Sequence, residues 1–381
     1  MPLSRISLSL YLGQQSPSKA SPVLLQALQS TEIRQADDSG DDYRQGFQLT
    51  FNARRKNSAA PDYELLTIPD LKPGNRIVMA VTLDGKPHAL MDGIITHHQL
   101  GFEAGGSDPR LVVMGKDLSV LMDLTEKREG YSGMKLKEVV EKILSDYSKH
   151  GIEGKVTAPA TEWPTEPAEH VPFQTGTDLQ YLRALAEANG YLFNIQAGPQ
   201  AKKSIAYWGP PDRSAAAQPA LTINMGNNDT VDKIDFAYDA LRPTRTKRVK
   251  SGDQPTLDEV LKSKISPELA KKVALTGNGD FVRQRWLTYA GPDDGEASAR
   301  AQGMVDLTNE TVVKATGRLD VLKYGHVLAA PGLVGLRGVG MTYDGEYYVK
   351  AVKHLISQGS YTQEFTLTRE GVTSAKPKVK V

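Results

Sequence analysis

Histidines, clustered carboxylates, glycine-rich stretches and lysine runs are the residues whose types and spacing could do chemistry in this chain. His97 and His98 are the only clustered histidines. Adjacent strand residues point to opposite faces and cannot easily grip one metal ion, so the pair reads as solvated strand-end residues. Asp37, Asp38, Asp41 and Asp42 crowd a glycine-containing tip. Their hard oxygens suit calcium, but the distal glutamate of an EF-hand loop is missing, and a solvated hairpin tip is the reading. Gly332, Gly335, Gly338 and Gly340 lack the following helix of a dinucleotide fingerprint and read as turns or bulges in a β-rich region. No G-x-x-x-x-G-K-[ST] phosphate loop occurs. A glycosidase pair needs carboxyl groups roughly 5–9.5 Å apart, and nothing in the spacing selects one. No catalytic, cofactor-binding or metal residue is expected, and no cofactor.

Composition narrows the classes further. Lys plus Arg total 46 and Asp plus Glu 45, a formal net charge of +1, which removes the basicity of a dedicated nucleic-acid binder. Arg54-Arg55-Lys56 and the C-terminal Lys376, Lys378 and Lys380 are local cationic runs, and short runs of this kind mostly face solvent. There is no cysteine, so disulfide scaffolds, cysteine zinc sites, iron–sulfur clusters and thiol nucleophiles are all excluded. The longest apolar runs, such as residues 77–83, fall far short of the ~20 residues of a spanning helix. The N-terminal residues alternate instead of forming the apolar stretch of a secretion signal. Stable membrane binding and sequence-specific nucleic-acid binding are not expected.

The elements that would position these groups begin as strands. Ile6, Leu8, Leu10 and Leu12 alternate with Ser7, Ser9 and Tyr11, the period of a half-buried strand. Residues 23–51 read as a long hairpin around the acidic tip, with Phe47, Leu49 and Phe51 alternating on the return. Strands are expected at 76–83, 89–97 and 111–115, divided by turns such as Asp84-Gly85. The period then changes. Leu136, Val139, Val140, Ile143, Leu144 and Tyr147 form a helical stripe, and Thr177 with Gln180 has capping-box spacing before Leu179, Leu182, Leu185 and Ala186, with Gly190 as the left-handed cap. Strands return at 191–196, 204–208, 221–225, 231–238, 311–319, 347–356 and 362–369. Residues 256–275 are lysine-rich and helix-permissive, and 297–307 read as a helix. The expected class is mainly β with α+β insertions: two related β-barrel domains plus a small mixed α/β domain. The boundaries are 1–125 for the first barrel, 126–210 for the mixed insert, 211–370 for the second barrel with helical insertions over about 253–308, and 371–381 for a basic tail.

Residues 171–193, from Val171-Pro172-Phe173-Gln174 through Leu182-Arg183-Ala184-Leu185-Ala186 to Gly190-Tyr191-Leu192-Phe193, resemble a segment of phage late control protein D homologues and of the N-terminal region of VgrG spikes. Two further stretches agree in family order. They are residues 71–93 continuing through Met91-Asp92-Gly93-Ile94-Ile95-Thr96, and Gly345-Glu346-Tyr347-Tyr348-Val349-Lys350 continuing through His354 to Phe365. The resemblance covers roughly residues 5–370.

What the resemblance implies is a baseplate hub of a contractile tail, similar to the T4 hub called gene product 27. Three copies would form a ring in which two barrels per chain present six similar units to a sixfold tail tube, while the other face holds a threefold spike. The implied partners are further copies of the chain, a tail tube protein, the spike and other baseplate proteins. The implied place is the baseplate of a virion or injection particle assembled in the bacterial cytoplasm. VgrG proteins continue into an oligonucleotide-fold domain and a β-helical spike, whereas this sequence stops soon after its last expected strand. A separate spike polypeptide is therefore expected, docked with help from Lys376, Lys378 and Lys380. The competing readings are a cell-envelope glycan hydrolase and a carbohydrate-binding protein of the tail tip.

Overall fold

The computed structural model describes residues 6–14, 17–55, 62–102, 109–159, 171–198, 203–249, 257–260, 263–273, 281–288 and 294–376. Seven strands come first: β1 Ile6–Gly13, β2 Ser18–Lys19, β3 Leu28–Ala36, β4 Gly46–Asn52, β5 Arg76–Leu83, β6 Lys86–Gly101 and β7 Arg110–Asp117. Their inward residues are those of the alternating pattern. Leu10 and Leu12 of β1 and Phe47, Leu49 and Phe51 of β4 are all buried, each side chain contributing roughly 1.5–3 kcal/mol. Asp84 and Gly85 both take positive φ, which gives the two-residue turn that joins β5 to β6 without splaying them.

A mixed unit follows. It holds β8 Glu126–Gly130, β9 Ile152–Val156, β10 Phe173–Thr177, β11 Leu192–Ala197 and β12 Ser204–Gly209, with helix α1 Pro22–Ala27 earlier in the chain and α2 Leu136–Ser145 and α3 Asp178–Ala188 here. Its core is separate from that of the large sheet. Val139, Val140, Ile143 and Leu144 of α2 meet Leu182, Leu185 and the buried Trp208, whose indole N–H donates to Leu182 O at 3.2 Å. The capping box forms as the spacing required: Thr177 Oγ1 accepts from Gln180 N, and Gln180 Oε1 from Thr177 N, both at 3.2 Å.

The remaining strands are β13 Gln218–Thr222, β14 Val231–Tyr238, β15 Thr244–Val249, β16 Leu257–Val260, β17 Ala270–Val273, β18 Arg283–Thr288, β19 Val313–Asp320, β20 Gly332–Arg337, β21 Gly345–Ser357, β22 Ser360–Arg369 and β23 Gly371–Ser374. Helices α4 Asp294–Glu310 and α5 Val321–Tyr324 lie among them. The mainly β class with α/β insertions is as expected, and strands from both ends of the chain share one hydrogen-bonded sheet, from which β15, β16, β17, β18 and β23 stand apart. Its order is β14-β19-β22-β21-β3-β4-β7-β6-β5-β1-β2, with β20 on β21 and β13 on β20. The seam is β21. Its first half, from Gly345 to Val349, pairs with β20, and its second half, from Ala351 to Ser357, runs antiparallel to β3. One continuous core therefore draws residues from both ends of the sequence, Ile33 and Leu49 beside Val352 and Leu367.

Helix α4 docks against the mixed unit where two glycines meet. A Cβ on Gly303 would lie 2.4 Å from Gly190 N, and Gly190 itself has φ +67°, the left-handed cap expected of it. Three local readings change. Residues 23–27, expected as the start of the hairpin, lie in α1, because Ser21 Oγ accepts from Leu24 N and Pro22 opens the first turn. Among the described residues of the expected helical insertion over 253–308, β16, β17 and β18 are strands, and α4 is the helical part. The first residues of the expected 371–381 tail form β23, which pairs with β17. No helix among the described residues is long and apolar enough to cross a membrane.

Candidate functional site

The acidic tip is the largest departure from the sequence reading. Asp37 is fully buried and Asp38 nearly so, against the expectation of a solvated tip. Asp37 Oδ2 lies 3.0 Å from Nζ of Lys350, itself buried in β21, while Oδ1 accepts from Ser39 N and Oγ at 3.1 and 2.7 Å. Its carbonyl accepts from Asn194 of β11 at 3.3 Å. Asp38, at φ +62°, pairs with Arg44 at 3.1 Å and with Nε of Arg183 on α3 at 3.0 Å. The end of β3 is thus tied at once to the seam strand and to the mixed unit. Cations of the protein itself, Lys350, Arg44 and Arg183, face these carboxylates.

A second group of charges continues inward. Arg213, in the connector after β12, places Nη1 2.6 Å from Glu370 Oε2 and Nη2 3.8 Å from Glu310 Oε1, the last residue of α4. Glu370 Oε1 in turn accepts from Ala270 N at 2.6 Å, at the start of β17. Burial pushes the Glu310 carboxyl up against the pull of Lys350 and Arg213. Burial pushes the Lys350 ammonium down, but Asp37 and Glu310 more than offset this and hold it above its ordinary value. Nearby, burial pushes Asp117 up to about 7, against the hydrogen bond from Ser119 Oγ at 2.6 Å and with the charge of Asp38 adding to the rise. Asp38 is also raised by burial, against Arg183 and Arg44.

Two more polar contacts hold the mixed unit. Arg76 grips Asp92 with Nε and Nη2 at 2.7 and 2.6 Å, donates from Nη1 to His150 O at 2.8 Å, and Ser204 Oγ reaches Asp92 at 3.0 Å. Asp178 accepts from Lys127 Nζ, Tyr147 Oη and Gln174 Nε2 at 2.7, 2.7 and 2.8 Å. Both carboxylates belong to the stretches that carried the family resemblance. Their roles are to dock the insert on the sheet and to brace the start of α3.

The other sequence candidates are dispersed. His98 Nε2 lies 2.6 Å from Leu71 O, so it donates to a carbonyl, and His97 is exposed. Among the described residues no cluster of three or more His, Asp or Glu could hold a metal. The glycine stretch is β20 and the turn after it, where a Cβ on Gly338 would stand 1.7 Å from Ile223 O. Arg55 lies over the Tyr63 ring at 5.0 Å, and Lys56 is outside the described residues. Lys376 Nζ pairs with Glu346 at 2.8 Å, whereas Lys378 and Lys380 lie outside the described residues. Sequence reasoning missed Lys350, Arg183, Arg213, Glu310 and Glu370 as a group. Lys350, Arg183 and Glu310 are marked locally only as charges within a strand or helix, and Arg213 and Glu370, which lie between elements, carry no periodic signal at all.

The arrangement joins three parts of the chain through paired ions. Solved structures like it share its architecture. The family model described as the Alg8 N-terminal domain matches residues 56–358. No curated protein matches the chain by sequence. Among solved structures, the tail protein from Neisseria meningitidis MC58 is 14% identical over 97% of this chain and 98% of its own, with a TM-score of 0.63. The 43 kDa tail protein of prophage MuSo2 from Shewanella oneidensis is 12% identical over 96% and 98%, with a TM-score of 0.62. The c3393 protein of E. coli, described as a type VI secretion component similar to T4 gp27 and gp5, is 14% identical over 91% and 76%, with a TM-score of 0.52. At these identities the likeness is one of fold.

Proposed function

This chain belongs to the Alg8 N-terminal domain family; from its fold, which it shares with tail proteins, we propose that it is the structural baseplate hub of a contractile phage tail or contractile injection system. Three copies form a ring that adapts a sixfold tail tube to a threefold spike. The chain acts as a structural part, not as an enzyme, and its partners are copies of itself, the tube protein, a spike protein and other baseplate proteins. Its place is the baseplate of a virion or injection particle assembled in the bacterial cytoplasm. The observation that carries this reading is the fold shared with two tail proteins across nearly the whole length of both chains.

Two features support it. Symmetry matching needs two similar β units held rigidly in one chain, and the seam of β3 on β21 couples the two sheet halves. The buried ion pairs then fix the mixed unit and α4 onto that seam. The barrel, insert and barrel boundaries at 1–125, 126–210 and 211–370 belong to this proposal, as does a spike contact at Lys376, Lys378 and Lys380. Sedimentation of the purified chain, alone and mixed with its tube and spike proteins, tests it. Trimers that bind both partners are expected, and a persistent monomer that binds neither would overturn it.

A further inference from the structure

The small sheet β16-β15-β18 has two unlike edges. β18 runs parallel to β15, with Thr244 opposite Arg283 and Lys247 opposite Trp286, and among the described residues no strand covers its other side. Arg283, Gln284, Arg285 and Trp286 are all exposed, so this strand shows side chains to solvent on both faces. Trp286 is 60% exposed and the nearby Phe281 62%. Lys247 Nζ stands 6.0 Å from the Trp286 ring, adding to the basic character of this edge. The opposite edge is β16, whose sequence Leu257-Asp258-Glu259-Val260 is acidic and which runs antiparallel to β15, Glu259 opposite Lys247. Among the described residues, an edge that is basic and aromatic thus shares a sheet with one whose sequence is acidic and aliphatic.

We propose that β18 is a strand-addition site and that its occupant is β16 of a second copy of this chain, joined head to tail. Direction permits it. Within the sheet β16 is antiparallel and β18 parallel to β15, so a neighbour presented in the same sense brings its β16 antiparallel to β18. A register that sets Arg285 opposite Asp258 also sets Trp286 opposite Leu257 and Gln284 opposite Glu259. By residue type this register faces arginine with aspartate, tryptophan with leucine and glutamine with glutamate. Two β18 edges together would set arginine against arginine, and two β16 edges acid against acid, so the symmetric contacts are disfavoured. A head-to-tail contact closes into a ring when its rotation allows. Closure at three copies rests on the hub reading above.

Disulfide trapping tests the contact, because the native chain has no cysteine and engineered thiols are the only ones present. In one chain, positions 258 and 285 are separated by β15, two strand spacings or roughly 9.5 Å, beyond the ~7 Å that a disulfide spans. The double variant Asp258→Cys/Arg285→Cys should therefore link only between copies, giving a covalent trimer on a non-reducing gel, while each single variant stays unlinked. Sedimentation run in parallel separates the two claims. A trimer that does not link overturns the edge contact and leaves the ring intact; a monomer overturns both; a ladder beyond three copies supports the edge contact and overturns the closed ring. As a second measurement, Arg285→Glu should weaken self-association at least tenfold, and Arg285→Glu with Asp258→Arg should restore it. Equal association in all three proteins would overturn the proposal.

Discussion

The imidazole of His354 reaches diagonally across the seam to Gln35, Nε2 lying 3.1 Å from Oε1. An amide oxygen only accepts, so Nε2 carries the proton and Nδ1 accepts from Tyr361 Oη at 2.8 Å. Gln35 Nε2 passes the chain on to Leu90 O at 3.0 Å. The ring is fully buried, and that burial lowers its pKa to about 3. Strands from the two ends of the sequence are thus stapled by a histidine that must remain neutral.

Acid should loosen this staple. The folded pKa lies below the unfolded value of about 6.5, so the unfolded chain takes up the proton first and stability is lost as pH falls from about 6.5 towards 3. Between pH 7 and pH 5 the loss amounts to about 2 kcal/mol. His354→Gln should be less stable than the native chain at pH 7 yet lose less on acidification. Urea unfolding at the two pH values measures it, and an unchanged slope in the variant would refute the assignment.

Asp117 should act with the opposite sign. Its folded pKa of about 7 exceeds the unfolded value of about 3.9, so its contribution is present at low pH and is lost as pH rises through 7. Asp117→Asn keeps an acceptor for Ser119 and removes the charge. The variant should gain on the order of 2 kcal/mol over the native chain at pH 8 relative to pH 5. In the native chain the two residues offset one another near pH 5–6.5, which makes the single variants the informative comparison.

The buried pair Asp37–Lys350 should show strong coupling. Removing one partner strands the other charge, so Lys350→Met should cost about 3–5 kcal/mol, and adding Asp37→Asn should recover part of that loss. Additive losses in a double-mutant cycle would mean that the two groups are not interacting in solution.

The Gly190–Gly303 crossing leaves no room for a methyl group. Because the clashing atom is backbone, it cannot swing away, and Gly303→Ala should cost about 1–3 kcal/mol. Thermal unfolding reads the loss. Alanine tolerated without a change in melting temperature would show that α4 does not pack against α3 this closely.

Local pattern carried what local physics decides. Alternation found β4 through Phe47, Leu49 and Phe51, the capping box of Thr177 and Gln180 found the start of α3, and Gly190 marked its end. Asp37 and Asp38 were misread because their partners are remote: Lys350 lies 313 residues away and Arg183 lies 145 away. Four acids beside a glycine look solvated to any reading that cannot see a buried lysine arriving from the far end of the chain. Residues 270–273 were misread for a related reason. Their lysines favour helix weakly, and pairing with β23 overrides that preference. Trp286 and Arg285 drew no notice, since exposure and edge position exist only once β15 and β18 are paired.

Lys376 separates docking from folding at the C-terminus. Gly371–Ser374 are held by β17, and Ala375 N donates to Leu269 O at 2.9 Å, so a deletion that begins at residue 372 removes a strand as well as the lysines. A deletion of residues 376–381 spares that strand. It gives up the exposed Lys376–Glu346 pair, worth little in stability, together with Lys378 and Lys380. Unfolding temperature should therefore stay within about 2 °C of the native chain while capture of the spike protein falls, most visibly at low salt, where the charge of the lysines is least screened. Spike capture at the native level by this shorter chain would remove the lysines from the contact, and a large drop in unfolding temperature would reassign them to the fold.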